Sequence, residues 1–134
     1  MSSNSQQGFW KSNLDPRLES YFQPLCTSIS DDERVSLIGS IAEHVEEIKQ
    51  ALQHNEFLDI DLAGRLANTL LLLLGDLDNY SDHRRNLIAG AARYFIHPRD
   101  ADPDTGSVLG LDDDVTVLNY VLDAVGKPEL KVQI

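Results

Sequence analysis

The chain has 134 residues, 42% of them hydrophobic, a length and composition that point to one domain with a core of its own. It carries 22 Asp and Glu against 11 Lys and Arg, a formal net charge of -11, which disfavours direct contact with nucleic acid or an anionic membrane because phosphates are met by Lys and Arg. A single cysteine, Cys26, excludes an internal disulfide and a thiolate-rich zinc site, and its expected place is in packing, as a small apolar side chain.

Residues 1–12 are polar, with Phe9 and Trp10 as their only anchors, and read as a flexible tail ahead of a helical domain over 13–134. No positively charged segment followed by an apolar run stands at the N-terminus, so no signal peptide is expected. "LDPRLESYFQPL" predicts a short helix with Asp15 as its cap and Pro16 in the first position, where a missing N–H costs nothing; Pro24 leaves its continuation open.

"SDDERVSLIGSIAEHVEEIKQALQHN" predicts a long helix. Ser30 and Glu33 have the spacing of a capping box, in which each side chain accepts the other residue's backbone N–H. Val35, Ile38, Ile41, Val45, Ile48 and Leu52 fall on one stripe, read as a core-facing side or as a helix–helix homodimer seam along 31–54.

"DIDLAGRLANTLLLLLGDLDNY" predicts a third helix, capped by Asp59 or Asp61 and closing near Gly75. Apolar on most sides, it is the expected central helix. Its run of Leu from Leu70 to Leu74 is far shorter than the ~20 residues of a membrane span, so no stable membrane insertion is expected, and the expected location is cytoplasmic. "SDHRRNLIAGAARYFIHP" predicts a fourth helix, capped by Ser81 and stopped by Pro98, with Gly90, Ala91 and Ala92 small enough to admit a close neighbour. "DDDVTVLNYVLDAVGK" predicts a fifth, starting at Asp112 and ending at Gly126, with Val115, Leu118, Val121, Leu122 and Val125 on its buried face. The tail from Pro128 is expected to be extended or frayed. No segment alternates like a strand. The fold class is all-α, a compact single-domain bundle of four to five helices.

Six Asp residues lie between His97 and Asp114, at Asp100, Asp102, Asp104 and Asp112 to Asp114. Carboxylates on alternate loop residues can converge on Mg²⁺ or Ca²⁺. As an EF-hand the stretch fails: Thr105 intervenes before Gly106, Pro103 interrupts the ligands, and Leu111 stands where a bidentate Glu belongs. As an irregular divalent-cation site, with Asp100, Asp104, Asp113 and Asp114 as ligands and His97 and Asp102 beside them, it stays open. The plainer reading assigns Asp112 to the cap of the fifth helix and Asp113 and Asp114 to its first turn, where carboxylates meet free N–H groups. In that reading His97 answers the last carbonyls of the fourth helix, and Arg84, Arg85, Arg93 and Arg99 neutralise the loop. No nucleophile motif and no nucleotide-binding glycine loop occurs, so no residue is assigned a catalytic role.

Tyr94, Phe95 and Pro98, then Asp100, Pro103 and Asp104, then Gly110, Asp113 and Asp114 follow one another at the spacing of a known signature. Over about residues 60–126 the chain resembles domain-of-unknown-function family 1232, the YkvA-like family. The resemblance implies a helical fold and no established activity, and it singles out Asp100, Asp104, Asp113 and Asp114 as the acids of the pattern. Family loops carry apolar residues where this one has Ala101-Asp102 and Thr105-Gly106-Ser107, which sets it apart from membrane-associated members.

Three functions follow as expectations. The first is a non-enzymatic interaction or regulatory module with a protein partner. The second is a divalent-cation protein or a metal-dependent hydrolase of phosphorylated substrates. The third is an acidic decoy covering a basic surface on its target.

Overall fold

The computed structural model describes residues 14, 16–52, 60–96 and 106–132. Five α-helices run through them: α1 (Pro16–Phe22), α2 (Asp31–Leu52), α3 (Ile60–Gly75), α4 (Asp82–Ile96) and α5 (Gly106–Ala124). Short 3-10 turns follow α1, α3 and α5 at Gln23–Leu25, Leu77–Asn79 and Pro128–Leu130. No strand occurs among the described residues, and the expected all-α bundle is what the chain forms.

The helix in the middle is α4 and not the Leu-rich α3. Nine consecutive residues of α4, from Leu87 to Phe95, are buried, and α4 packs against every other helix. By contrast, α3 leaves Asp61, Arg65, Asn68 and Leu72 in solvent, with Leu72 62% exposed. The physical reason is side-chain size. A helix enclosed on all sides needs small residues where neighbours come closest, and Gly90, Ala91 and Ala92 supply them. A Cβ on Gly90 would stand 2.6 Å from Cys26 Sγ and 2.9 Å from Phe22 Cε1.

The long helix α2 is turned differently from its predicted stripe. Leu37 and Ile41 are buried, with His44, Val45 and Ile48 half-buried beside them. Val35 is 68% exposed and Ile38 36% exposed, so the first two members of the expected stripe face solvent. His44 packs edge-on against Phe95 of α4, with ring centroids 5.0 Å apart.

Helix ends follow local chemistry. At the start of α2 the Glu33 N–H donates to Ser30 Oγ at 3.0 Å, and at the start of α4 the Arg84 N–H donates to Ser81 Oγ at 3.5 Å. The cap expected at Asp15 lies outside the described residues, as does Asp59; Asp61 falls within the first turn of α3. The Pro24 segment continues α1 as a 3-10 turn. At the end of α5, Gly126 adopts φ +84°, the Lys127 N–H reaches back to Leu122 O at 2.8 Å and the Gly126 N–H to Asp123 O at 3.3 Å. These are the paired bonds of a Schellman ending. The tail is pinned: Asn119 Nδ2 donates to Val132 O, the Val132 N–H donates to Asn119 Oδ1, both at 2.8 Å, and Lys131 pairs with Asp123.

Two glycine substitutions separate packing from propensity. Gly90→Ala gains helix propensity but meets Phe22 and Cys26, and a net loss of about 1 kcal/mol or more is expected. Gly39→Ala, on α2 with nothing within 4 Å of its added Cβ, is expected to gain about 0.5–1 kcal/mol. Urea unfolding of both variants measures the opposite signs.

Candidate functional site

Most of the acidic stretch singled out above, including His97, Asp100, Asp102 and Asp104, lies outside the described residues. Its last part does not cap a helix. Because α5 begins at Gly106, the backbone is helical through Gly110, and Asp112, Asp113 and Asp114 stand in the helix body. The expected cap at Asp112 is therefore corrected. The half-buried Asp113 carboxylate pairs with Arg17 of α1 at 3.6 Å, and Asp114 is half-buried one position on. Among the described residues no group of three or more His, Cys, Asp or Glu side chains is placed to hold a metal ion.

Arg85 and Arg93, two of the four arginines expected to neutralise the loop, have partners within the described residues, and Arg99 lies outside them. Arg85 pairs with Asp82 one turn back at 2.8 Å. Arg93 is only 9% exposed. Its Nε donates to Glu33 Oε2 at 2.8 Å and its Nη2 to Glu33 Oε1 at 2.6 Å, a two-pronged pair across 60 residues of sequence. Nη1 also donates to Leu25 O at 2.7 Å, Thr27 O at 3.1 Å and Thr27 Oγ1 at 2.9 Å, and Nη2 to Ser28 O at 3.0 Å. All five guanidinium N–H groups thus have acceptors at hand.

The local fold explains the cluster. Residues 26–30 have no regular structure, and among the described residues no backbone N–H reaches the carbonyls of Thr27 and Ser28. Arg93 supplies the donors. Glu33 sits where the capping box expects its carboxylate to turn back to Ser30. Only the Ser30 half of that box forms, and both Glu33 oxygens face Arg93 instead. The Arg93 hydrogen bonds hold the Glu33 carboxyl below its ordinary value, against an opposing desolvation effect.

Cys26 lies in the same segment. Burial pushes its thiol up to about 12, although nearby Arg93 draws it down, and its Sγ–H donates to Phe22 O at 3.5 Å. Burial likewise raises the Tyr120 phenol to about 12, and its ring meets Phe22 edge-on at 6.2 Å. Cys26 is therefore a packed thiol, as expected, and its thiolate fraction near neutrality is too small for nucleophilic chemistry. The Arg93 cluster is structural: its donors and acceptors are turned on one another.

Large apolar side chains stay exposed singly at Tyr21 of α1 and Leu72 of α3 and as a pair on α2. Val35, Ile38 and Ala42 are exposed along the outer side of α2, and Gly39 between them leaves open space. Asp32, Glu43 and Glu46 stand exposed around them. The predicted stripe named Val35 and Ile38, as part of a core-facing side or of a homodimer seam, and the core-facing reading does not hold for these two; Ala42 went unnoticed because a second stripe through Leu37 and Ile41 takes the core. No helix among the described residues is long and apolar enough to cross a membrane. No family model, curated protein or solved structure matches the chain.

Two measurements follow from the buried cluster. Glu33 is an acid whose folded value is depressed, so its contribution to stability is present above its unfolded value, ~4.3, and is lost as pH falls through the lower folded value. Wild type is expected to exceed Glu33→Gln in stability at pH 6, with the gap closing on acidification below pH ~4; a gap independent of pH would contradict this. Cys26 is expected to resist iodoacetamide at pH 8 in the folded protein and to react at an ordinary thiol rate in 6 M guanidinium, as followed by mass spectrometry.

Proposed function

We propose that the chain is a non-enzymatic interaction module, cytoplasmic in location, that meets a protein partner through an acid-rimmed surface. The observation that supports this reading is the outer side of α2, where Val35, Ile38 and Ala42 remain in solvent beside Asp32, Glu43 and Glu46. Large apolar side chains gathered in a polar rim are the common anatomy of a contact site. The resemblance to the YkvA-like family is compatible with it, since that family brings a helical scaffold and no assigned chemistry.

A divalent-cation role for Asp100, Asp104, Asp113 and Asp114, or a hydrolase built on such a site, is the second reading. The Arg17 guanidinium beside Asp113 weighs against it, because it already supplies the positive charge that a cation would bring. A photo-reactive amino acid at position 35 is expected to form a discrete protein adduct in cells, absent when it is placed at position 65 on α3. Melting of chelator-treated protein is expected to be unchanged by Mg²⁺, Ca²⁺ or Mn²⁺. A saturable rise with one ion, lost in Asp113→Asn, would transfer the function to the cation reading.

A further inference from the structure

We infer that the outer face of α2 docks a basic amphipathic helix of a partner protein, seated over Gly39; this rests on the interaction reading above. Three properties of the face specify the occupant.

The first is shape. Val35, Ile38 and Ala42 recur at spacings of three and four, so they form a ridge along the helix, and Gly39 leaves a gap beside it. Ridges of this kind receive the side chains of a second helix, with axes ~8–10 Å apart. A partner presenting apolar residues at spacings of three and four fits the ridge; a flat sheet edge does not use it.

The second is charge. Asp32, Glu43 and Glu46 stand on the far flank of the ridge. The nearby cations are engaged: Arg34 lies within 3.4 Å of Asp31 and 3.9 Å of Asp78, and Lys49 lies 3.4 Å from Glu46, so Asp32 and Glu43 carry most of the negative charge of this flank. The net charge of -11 reinforces the local sign. Lysines and arginines flanking the partner's apolar stripe would meet these carboxylates.

The third is what charge does to self-pairing. In an antiparallel pair centred on Gly39, residue 46 of one copy faces residue 32 of the other, which sets Glu46 against Asp32. In a parallel pair Asp32, Glu43 and Glu46 each face themselves. Either way acid meets acid, so a second copy is the poorer occupant. The strip is also only two large side chains and an alanine wide, well short of the ~800 Å² per partner of a standard interface. Binding through it is accordingly transient and salt-sensitive.

The test uses the full chain, labelled with ¹⁵N, and three 14-residue model helices with the same leucine stripe and Lys, Gln or Glu on the remaining positions. The Leu/Lys peptide is expected to shift the amide signals of residues 32–46 saturably. Its affinity should fall at least tenfold in Ile38→Ser or Val35→Ser and several-fold in the double variant Glu43→Gln, Glu46→Gln, while the Leu/Glu peptide leaves the spectrum unchanged. Val35→Ser keeps the test valid should Ile38→Ser unfold. Binding of the Leu/Lys peptide that is indifferent to both serine variants would overturn the inference, since it would be charge attraction alone. Equal binding of the Gln and Lys peptides at this face would overturn the basic partner while leaving the interaction surface standing. Self-association abolished by Val35→Ser would identify a second copy as the occupant and overturn it as well. No shift at this face with any peptide would remove both the inference and the surface it rests on.

Discussion

A single buried guanidinium organises this fold. Arg93 sits buried in the last turn of the central helix, where an unpaired charge would be untenable, and it is tolerated because every N–H finds an acceptor. Through those bonds it ties α4 to the segment 25–28 and to the first turn of α2, both 60 or more residues away in sequence. Hydrophobic contact alone would bring these pieces together, but it carries no direction. The fork of hydrogen bonds fixes how they sit.

The orientation of α2 is the clearest consequence. Its sequence offers two stripes, one through Val35, Ile38, Ile41, Val45, Ile48 and Leu52 and another through Leu37, Ile41, His44 and Ile48. Both satisfy helical periodicity, and Ile41 and Ile48 belong to each. Glu33 lies one turn before Leu37, on the same side of the helix. Once its carboxylate is held by Arg93, Leu37 and Ile41 turn inward and Val35 and Ile38 turn out. The same ion pair that closes the core thus leaves an apolar ridge on the surface, with Asp32, Glu43 and Glu46 around it. Structure and proposed interaction have a common origin in that one contact.

Much of the fold is legible in the sequence, and the failures have physical causes. Helix existence and type followed from periodicity; Ser30, Ser81 and Gly126 marked ends because their chemistry is local. The buried side of α5 was readable for the same reason. The identity of the central helix was not, because a leucine count measures apolar content and not enclosure, and enclosure here depends on Gly90 and its alanine neighbours. The Asp run misled in a related way. Asp residues favour helix starts, but α5 begins at Gly106, so Asp113 and Asp114 fall in the helix body, and Asp113 finds Arg17 instead. The Arg93–Glu33 pair spans 60 residues and leaves no local trace except one: a lone Arg inside the small and aromatic run "GAARYF" is a charge that must be satisfied at a distance.

Replacing the fork while keeping the charge isolates its role. Equilibrium unfolding of Arg93→Lys measures this directly, since a lysine ammonium has three donors on a flexible stem and cannot serve both Glu33 oxygens and the carbonyls of Leu25, Thr27 and Ser28. A loss of about 2–3 kcal/mol relative to wild type is predicted, since the ammonium forfeits two or more of the guanidinium's hydrogen bonds at about 1 kcal/mol each. A loss below about 1 kcal/mol would show that charge or packing alone holds these elements, and that Arg93 does not organise the fold.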